Sequence, residues 1–172
     1  AGGAPNSGEY GSVEVTPDGG LLVRSGSASA GMSHETVWAK LAAEVIPTPL
    51  DKVRVVQGDT AEVPRGVGSF ASRSTQIGGS AVHRTAGVVR GRILAVAAEL
   101  LDAEPADLDI DDGVVSVAER HGPGVGLAEV YTAAEERGVS LREEEFYSPG
   151  YQTFPYGVHV AVVEVEPETG EV

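Results

Sequence analysis

The chain has 172 residues, enough for one domain or two small ones, with 41% hydrophobic residues, a net charge of −14 and no cysteine. Cysteine-free composition excludes disulfides, thiolate metal sites, a Cys nucleophile and Cys-ligated iron–sulfur clusters within these residues. The charge is uneven: residues 52–92 carry seven Lys/Arg against Asp59 and Glu62, whereas residues 93–172 carry three Arg against eighteen Asp/Glu. An acidic half repels a phosphate backbone, so no nucleic-acid partner is expected.

In chain order, residues 1–8 read as loop. Residues 12–16 and 21–25 flank Pro17-Asp18-Gly19-Gly20 and predict a hairpin. Ser33 is a candidate N-cap, and Val37, Trp38, Leu41, Ala42 and Val45 follow at helical spacing until Pro47 and Pro49. Residues 53–57 form a short β-rich run. A long helix is expected over residues 75–101, with Ile77, Ala81, Val88, Val89, Ile93, Val96 and Leu100 as its stripe. Gly78, Gly79, Gly87 and Gly91 are costly inside it, by roughly 1 kcal/mol each, and predict close approach of another backbone or a ligand.

Residues 108–110 and 114–117 predict a second hairpin about Asp111-Asp112-Gly113, with a possible subdivision of the chain near 103–106. Residues 119–126 read as loop, 127–137 as a helix ended by Gly138, 139–146 as a strand and 147–156 as loop. Glu143-Glu144-Glu145 reads as a solvated face. Val158, Val160, Val162 and Val165 alternate across 158–166 and predict a strand. Pro167-Glu168-Thr169-Gly170 reads as a turn, and Glu171-Val172 as the start of a returning strand. The expectation is a piece of a larger polypeptide. The fold class expected is α+β, with mixed and antiparallel sheet and two or three packed helices.

The most informative stretch is residues 57–75. It leaves a strand, passes Gly58, Pro64, Gly66 and Gly68, and delivers Ser69, Ser72, Arg73, Ser74 and Thr75 to a helix start. Backbone N–H groups, hydroxyls and a cation gathered at a helix N-terminus suit an anion. Gly66-Val67-Gly68 lacks the third glycine of a dinucleotide fingerprint and the Lys-Ser/Thr of a P-loop. No G-x-S-x-G is present, so a serine hydrolase is disfavoured. None of His34, His83, His121 and His159 pairs with another at i,i+4. His159 reads as structural; His34 either lines a site or sits on the surface of a first turn. No stretch nears the ~18 apolar residues that span a bilayer, and no basic-then-apolar leader opens the sequence. The expected setting is cytoplasmic.

Five motifs then occur in order: Gly31-Met32-Ser33-His34-Glu35-Thr36; Val53-Arg54-Val55-Val56-Gln57-Gly58-Asp59-Thr60; Pro64-Arg65-Gly66-Val67-Gly68; Ser69-Phe70-Ala71-Ser72-Arg73-Ser74-Thr75; and His159-Val160-Ala161-Val162-Val163-Glu164-Val165 before Glu168-Thr169-Gly170. This succession resembles the cofactor-binding large subunit of the molybdenum hydroxylase (xanthine dehydrogenase/aldehyde oxidase) family, most of all its carbon monoxide dehydrogenase large-chain branch. The resemblance implies a partial molybdopterin-binding domain over 1–172, from the second cofactor-binding half of the subunit. It implies a molybdopterin, in bacteria usually the cytosine dinucleotide. The family hydroxylates aldehydes or N-heterocycles, or oxidises CO, with water as oxygen source. The implied partners are the rest of the large subunit and iron–sulfur and flavin subunits or domains.

Residue by residue, the resemblance implies that Ala71, Ser72 and Ser74 hold the pterin and its phosphate, with Thr75 and Gln76 assisting. Gly31, Met32 and Ser33 match a Gly-Gln-Gly loop whose Gln approaches the molybdenum oxo group. Met32 departs from that pattern, since a thioether has no amide hydrogen to donate. The departure supports an alternative expectation, a non-catalytic or structural subunit. The family's general-base Glu belongs to a Gly-x-Gly-Glu-like segment that these residues lack, so the isolated chain is expected to be inactive.

Overall fold

The computed structural model describes residues 8–118, 123–150 and 156–172. The loop expected at 1–8 lies outside these apart from Gly8, as do 119–122, including His121, and 151–155 of the two later loops.

β1 (Glu9–Val15) and β2 (Leu21–Ser25) form the first hairpin, in the register Val15↔Leu21 to Gly11↔Ser25. The turn closes through Gly19 N–H to Thr16 O at 2.8 Å and Thr16 N–H to Gly20 O at 2.9 Å. β1 begins three residues before the predicted start, which brings Glu9 into the sheet. α1 (His34–Val45) buries Trp38, Ala39 and Ala42 and carries the chain back to β3 (Val53–Gln57). β3 runs parallel to β2, as a helical crossover allows.

β4 (Leu108–Asp111), β5 (Val114–Val117) and β6 (Val125–Gly126) make a small antiparallel sheet in that order. The sequence reads β6 as loop. α3 (Leu127–Glu136) comes next. It stops at Gly138 as expected: φ there is +67°, Val139 N–H reaches Ala134 O at 2.8 Å and Gly138 N–H reaches Glu135 O at 3.1 Å, the paired bonds of a Schellman end. β7 (Arg142–Tyr147) then pairs antiparallel with the free side of β1, giving the order β3-β2-β1-β7.

α2 (Ser80–Leu101) lies across this four-stranded sheet. Its buried Ala81, Val82, Thr85, Ala86, Val89, Ile93 and Val96 recur at three- and four-residue spacing, so one stripe faces inward. The core cluster joins Val82, Ala86, Val89, Ile93 and Val96 of this stripe to Val13, Val23 and Trp38 and to Leu108, Val115 and Val130. The architecture is α+β, with three helices and mixed and antiparallel sheets. Among the described residues no helix is long and apolar enough to cross a membrane.

Three expectations need correction. Residues 158–166 form no strand: Val158, Val160 and Val162 are 88%, 81% and 93% exposed, and no described residue pairs with them. Alternation alone does not make a strand without a ladder partner. The turn at 167–170 does close, through Gly170 N–H to Glu166 O at 2.8 Å. Second, Glu143-Glu144-Glu145 is more than a solvated face. Glu143 pairs with Arg92 at 2.5 Å, Glu145 with Arg84 at 2.8 Å, and Glu144 accepts from the Tyr10 hydroxyl at 2.9 Å, tying β7 to α2 and β1. Third, no other backbone closely approaches the four glycines: Gly78 and Gly79 face the side chains of Trp38, Ser27 and Leu41, and Gly87 and Gly91 have open space where a side chain would stand.

Candidate functional site

Beyond β3 the chain turns back over the start of β1. Val67 and Gly68 donate their backbone N–H groups to the Glu9 carboxylate, at 3.1 Å to Oε1 and 3.0 Å to Oε2. Glu9 and Arg73 are both fully buried and form a salt bridge of 2.6 Å. Arg73 also donates to Gly68 O at 2.7 Å and Gly8 O at 2.6 Å. Buried charges persist only when paired and hydrogen-bonded, and this pair has both. The sequence suggests a cation at the helix start facing an anionic ligand. The structure turns it inward instead, because Glu9 lies in the strand beneath.

Turning Arg73 inward leaves its neighbours outward. Ala71 and Ser72 are exposed and left-handed, with φ of +51° and +54°. The helical segment starts at Ser74 with a wide π turn, Ser74–Gly79, before α2. Ile77 N–H bonds to Arg73 O at 2.8 Å, so the N–H groups of Ser74, Thr75 and Gln76 precede the first intrahelical bond. Among the described residues no side-chain cap is made at this helix start. π turns recur at functional sites.

The opposite wall comes from the loop into α1. Ser33 is left-handed at φ +54° and makes no side-chain cap. His34 is buried, its Nδ1 lies 3.1 Å from Ser27 O, and its ring lies 5.1 Å from Trp38. A carbonyl only accepts, so Nδ1 carries the proton. Ser27 joins the two walls: its hydroxyl donates to Ser74 Oγ at 2.9 Å and lies 3.1 Å from Ser69 Oγ, while Ser69 donates to Ala28 O at 2.6 Å. Ser74 accepts in this chain, which leaves its own proton for an acceptor outside it.

Between the walls is an open depression of about 420 Å³, lined by Met32, His34, Val37, Ser69, Phe70, Ala71, Ser72, Ser74 and Thr75. Met32, Ala71, Ser72, Ser74 and Thr75, named from sequence, meet here. Gly31, at φ +91°, and Ser33 lie in the adjoining loop and not on the wall, nor is Gln76 on it. Val37 and Phe70 join the lining without being singled out by the sequence, and His34 is buried against the depression rather than lying on the surface of a first turn. Among the described residues the lining contains no Lys, Arg, Asp or Glu. Hydroxyls and helix-start N–H groups on one side and apolar side chains on the other suit an acceptor-rich or anionic group with a flat apolar face. Among the described residues no cluster of three His, Asp or Glu is placed to hold a metal ion.

A sequence profile described as the molybdopterin cofactor-binding domain matches residues 2–172. The chain is 32% identical over 169 residues to the 6-hydroxypseudooxynicotine dehydrogenase complex subunit gamma of Paenarthrobacter nicotinovorans, covering 94% of this chain and 21% of that protein. It is 27% identical over 164 residues to the carbon monoxide dehydrogenase large chain of Hydrogenophaga pseudoflava, covering 92% and 20% respectively. Quinoline 2-oxidoreductase from Pseudomonas putida 86 superposes with a TM-score of 0.75 at 33% identity, over 84% of this chain and 19% of that one. The chain thus spans about a fifth of the length of these relatives.

Proposed function

The chain belongs to the molybdopterin cofactor-binding domain family, and from that premise we propose that the depression between the α1 loop and residues 69–75 is one wall of a pterin cleft in a molybdenum hydroxylase large subunit. The observation that carries this reading is the meeting of Met32 with Ala71, Ser72, Ser74 and Thr75 across one depression, some forty residues apart in sequence.

The donor set fits such a cofactor. The N–H groups of Ser74 and Thr75 and the hydroxyls of Ser72 and Ser74 offer hydrogen bonds to acceptor atoms and phosphate, and the helix start adds a favourable field. Met32, Val37 and Phe70 cover apolar surface and exclude water. When bound, the molybdenum centre supplies oxidation of a carbon centre or of CO with water as oxygen source; this chain's residues bind and orient the group. The proposed form is the cytosine dinucleotide. Residues 1–172 then act as part of a longer large subunit that works with iron–sulfur and flavin units.

The test is Ser72→Ala with Ser74→Ala in the complete subunit, scored as molybdenum and released pterin per protomer. A fall of about ten-fold or more is expected; unchanged content overturns the assignment of this loop.

Met32 favours a second reading, a non-catalytic structural subunit, since its thioether offers no donor. Metal analysis of the assembled complex separates the two. Stoichiometric molybdenum with pterin supports the enzyme, and a folded complex holding neither supports the structural subunit.

A further inference from the structure

The depression takes its shape from two groups that never reach it. Glu9 and Arg73 are each 0% exposed, and neither lines the cleft. The carboxylate accepts from the N–H of Tyr10 at 3.1 Å, Val67 at 3.1 Å and Gly68 at 3.0 Å, as well as from Arg73 at 2.6 Å. It therefore binds the loop at its middle, through backbone, and at its end, through Arg73. Arg73 returns to the same loop through Gly68 O and to the strand through Gly8 O.

Between those anchors lie Ala71 and Ser72 in consecutive left-handed conformations. Non-glycine residues adopt this conformation at a cost of order 1–2 kcal/mol each and persist there only when surrounding structure dictates it. The dictating structure here is the pair. Arg73 is held inward by Glu9, the two residues before it are exposed, and the helical segment begins directly after it at Ser74.

We propose that the Glu9–Arg73 pair is a positioning device for the cofactor loop, which holds Ala71, Ser72 and the N–H groups of the helix start in cofactor-binding geometry without touching the cofactor. This rests on the cleft reading given above. It assigns Arg73 a role opposite to the one its place in sequence suggests, a cation that organises an anion site while contributing no charge to its wall. Selectivity for the ligand then comes from neutral donors at fixed positions.

The experiment uses the complete subunit with its partners and the double variant Glu9→Gln/Arg73→Met, which removes the charges together so that no unpaired ion is buried. Three quantities are read: molybdenum and pterin per protomer, amide hydrogen exchange along the chain, and the thermal midpoint. The expected result is a cofactor content lower by about ten-fold and faster exchange at Val67, Gly68 and residues 71–74, with exchange in β2 and α2 and the thermal midpoint near those of the parent. Arg73→Lys, which keeps a cation beside Glu9, is expected to retain the cofactor. Parental cofactor content in the double variant overturns the proposal. So does exchange rising equally through β2, α2 and the loop, because the pair would then serve the fold as a whole. If the double variant does not accumulate, Arg73→Met is compared with Arg73→Lys on the same readouts, and equal content in both overturns the proposal. The Ser72→Ala/Ser74→Ala variant is measured alongside. If it loses cofactor while the pair variants keep it, the positioning role alone fails; if it keeps cofactor, the cleft reading fails.

Discussion

Gly26 and Gly66 touch backbone to backbone. A Cβ built on Gly66 would stand 2.6 Å from Gly26 O and 2.8 Å from its Cα, and one on Gly26 would stand 2.6 Å from Gly66 Cα. Gly26 directly follows β2 and Gly66 lies in the loop that Glu9 binds, so this contact seats the loop on the end of the hairpin. Neither backbone has room to yield to a side chain. Gly66→Ala is expected to cost about 1–3 kcal/mol, the usual penalty of overpacking, and to lower cofactor content in the complete subunit. Urea unfolding and pterin release check both parts.

Tyr10 and Glu144 give the fold an acid-sensitive link. The Tyr10 hydroxyl, together with Arg142, holds the Glu144 carboxyl below its ordinary value of 4.5. A lowered carboxyl pKa adds stability that is present above 4.5 and fades as pH falls through the folded value. Glu144 is half exposed, so solvent screens much of the effect. Tyr10→Phe is expected to destabilise by about 1 kcal/mol near neutral pH, and the gap should narrow below pH 4.5. Denaturation midpoints across that range check it, and a gap that widens on acidification refutes it.

Gly87 and Gly91 lie in α2 with open space beside them and without positive φ. Within this chain nothing requires glycine there. Gly87→Ala and Gly91→Ala are each expected to stabilise the protein by about 0.5–1 kcal/mol, through helix propensity and a less flexible unfolded chain. Thermal unfolding measures this. A loss of assembly in the complete subunit, with the isolated chain stabilised, would identify the face as one another segment covers.

Met32 is 45% exposed on the rim of the depression. Met32→Gln should therefore change stability by less than about 0.5 kcal/mol. Under the cleft reading it restores a donor facing the cofactor, and cofactor retention on dilution should rise or hold. A fall in retention at unchanged stability would show that the thioether itself is used.

Local patterns in the sequence carry far. Pro17-Asp18-Gly19-Gly20 marks the first hairpin, the spacing from Val37 to Val45 marks α1, and Gly138 marks the end of α3. The features that stay hidden depend on partners distant in the chain. The sequence pattern starts β1 only at Ser12, because Glu9 has no alternation to announce it. Its place in the sheet comes from pairing with Tyr147, and its burial from Arg73, sixty-four residues away. The same blindness puts Arg73 in the site: a helix-start cation beside hydroxyls reads as a ligand contact until its buried counter-ion is seen. Residues 158–166 fail in the opposite sense, since their alternation is real and the ladder partner it requires is not among the described residues. Residue types at a helix start point to Ala71, Ser72, Ser74 and Thr75 in the lining of the depression, but Val37 is invisible as a member, being one more apolar residue in a helical stripe.

The π turn at Ser74–Gly79 opens the helical segment directly ahead of α2. It precedes α2, whose regular spacing begins at Ser80. The residues lining the depression at 71–75 therefore lie ahead of the regular spacing that buries Ala81, Val82 and Val89. Under the cleft reading, substitutions at Ala71, Ser72, Ser74 and Thr75 are expected to change what the depression accepts while the buried stripe of α2 keeps its spacing.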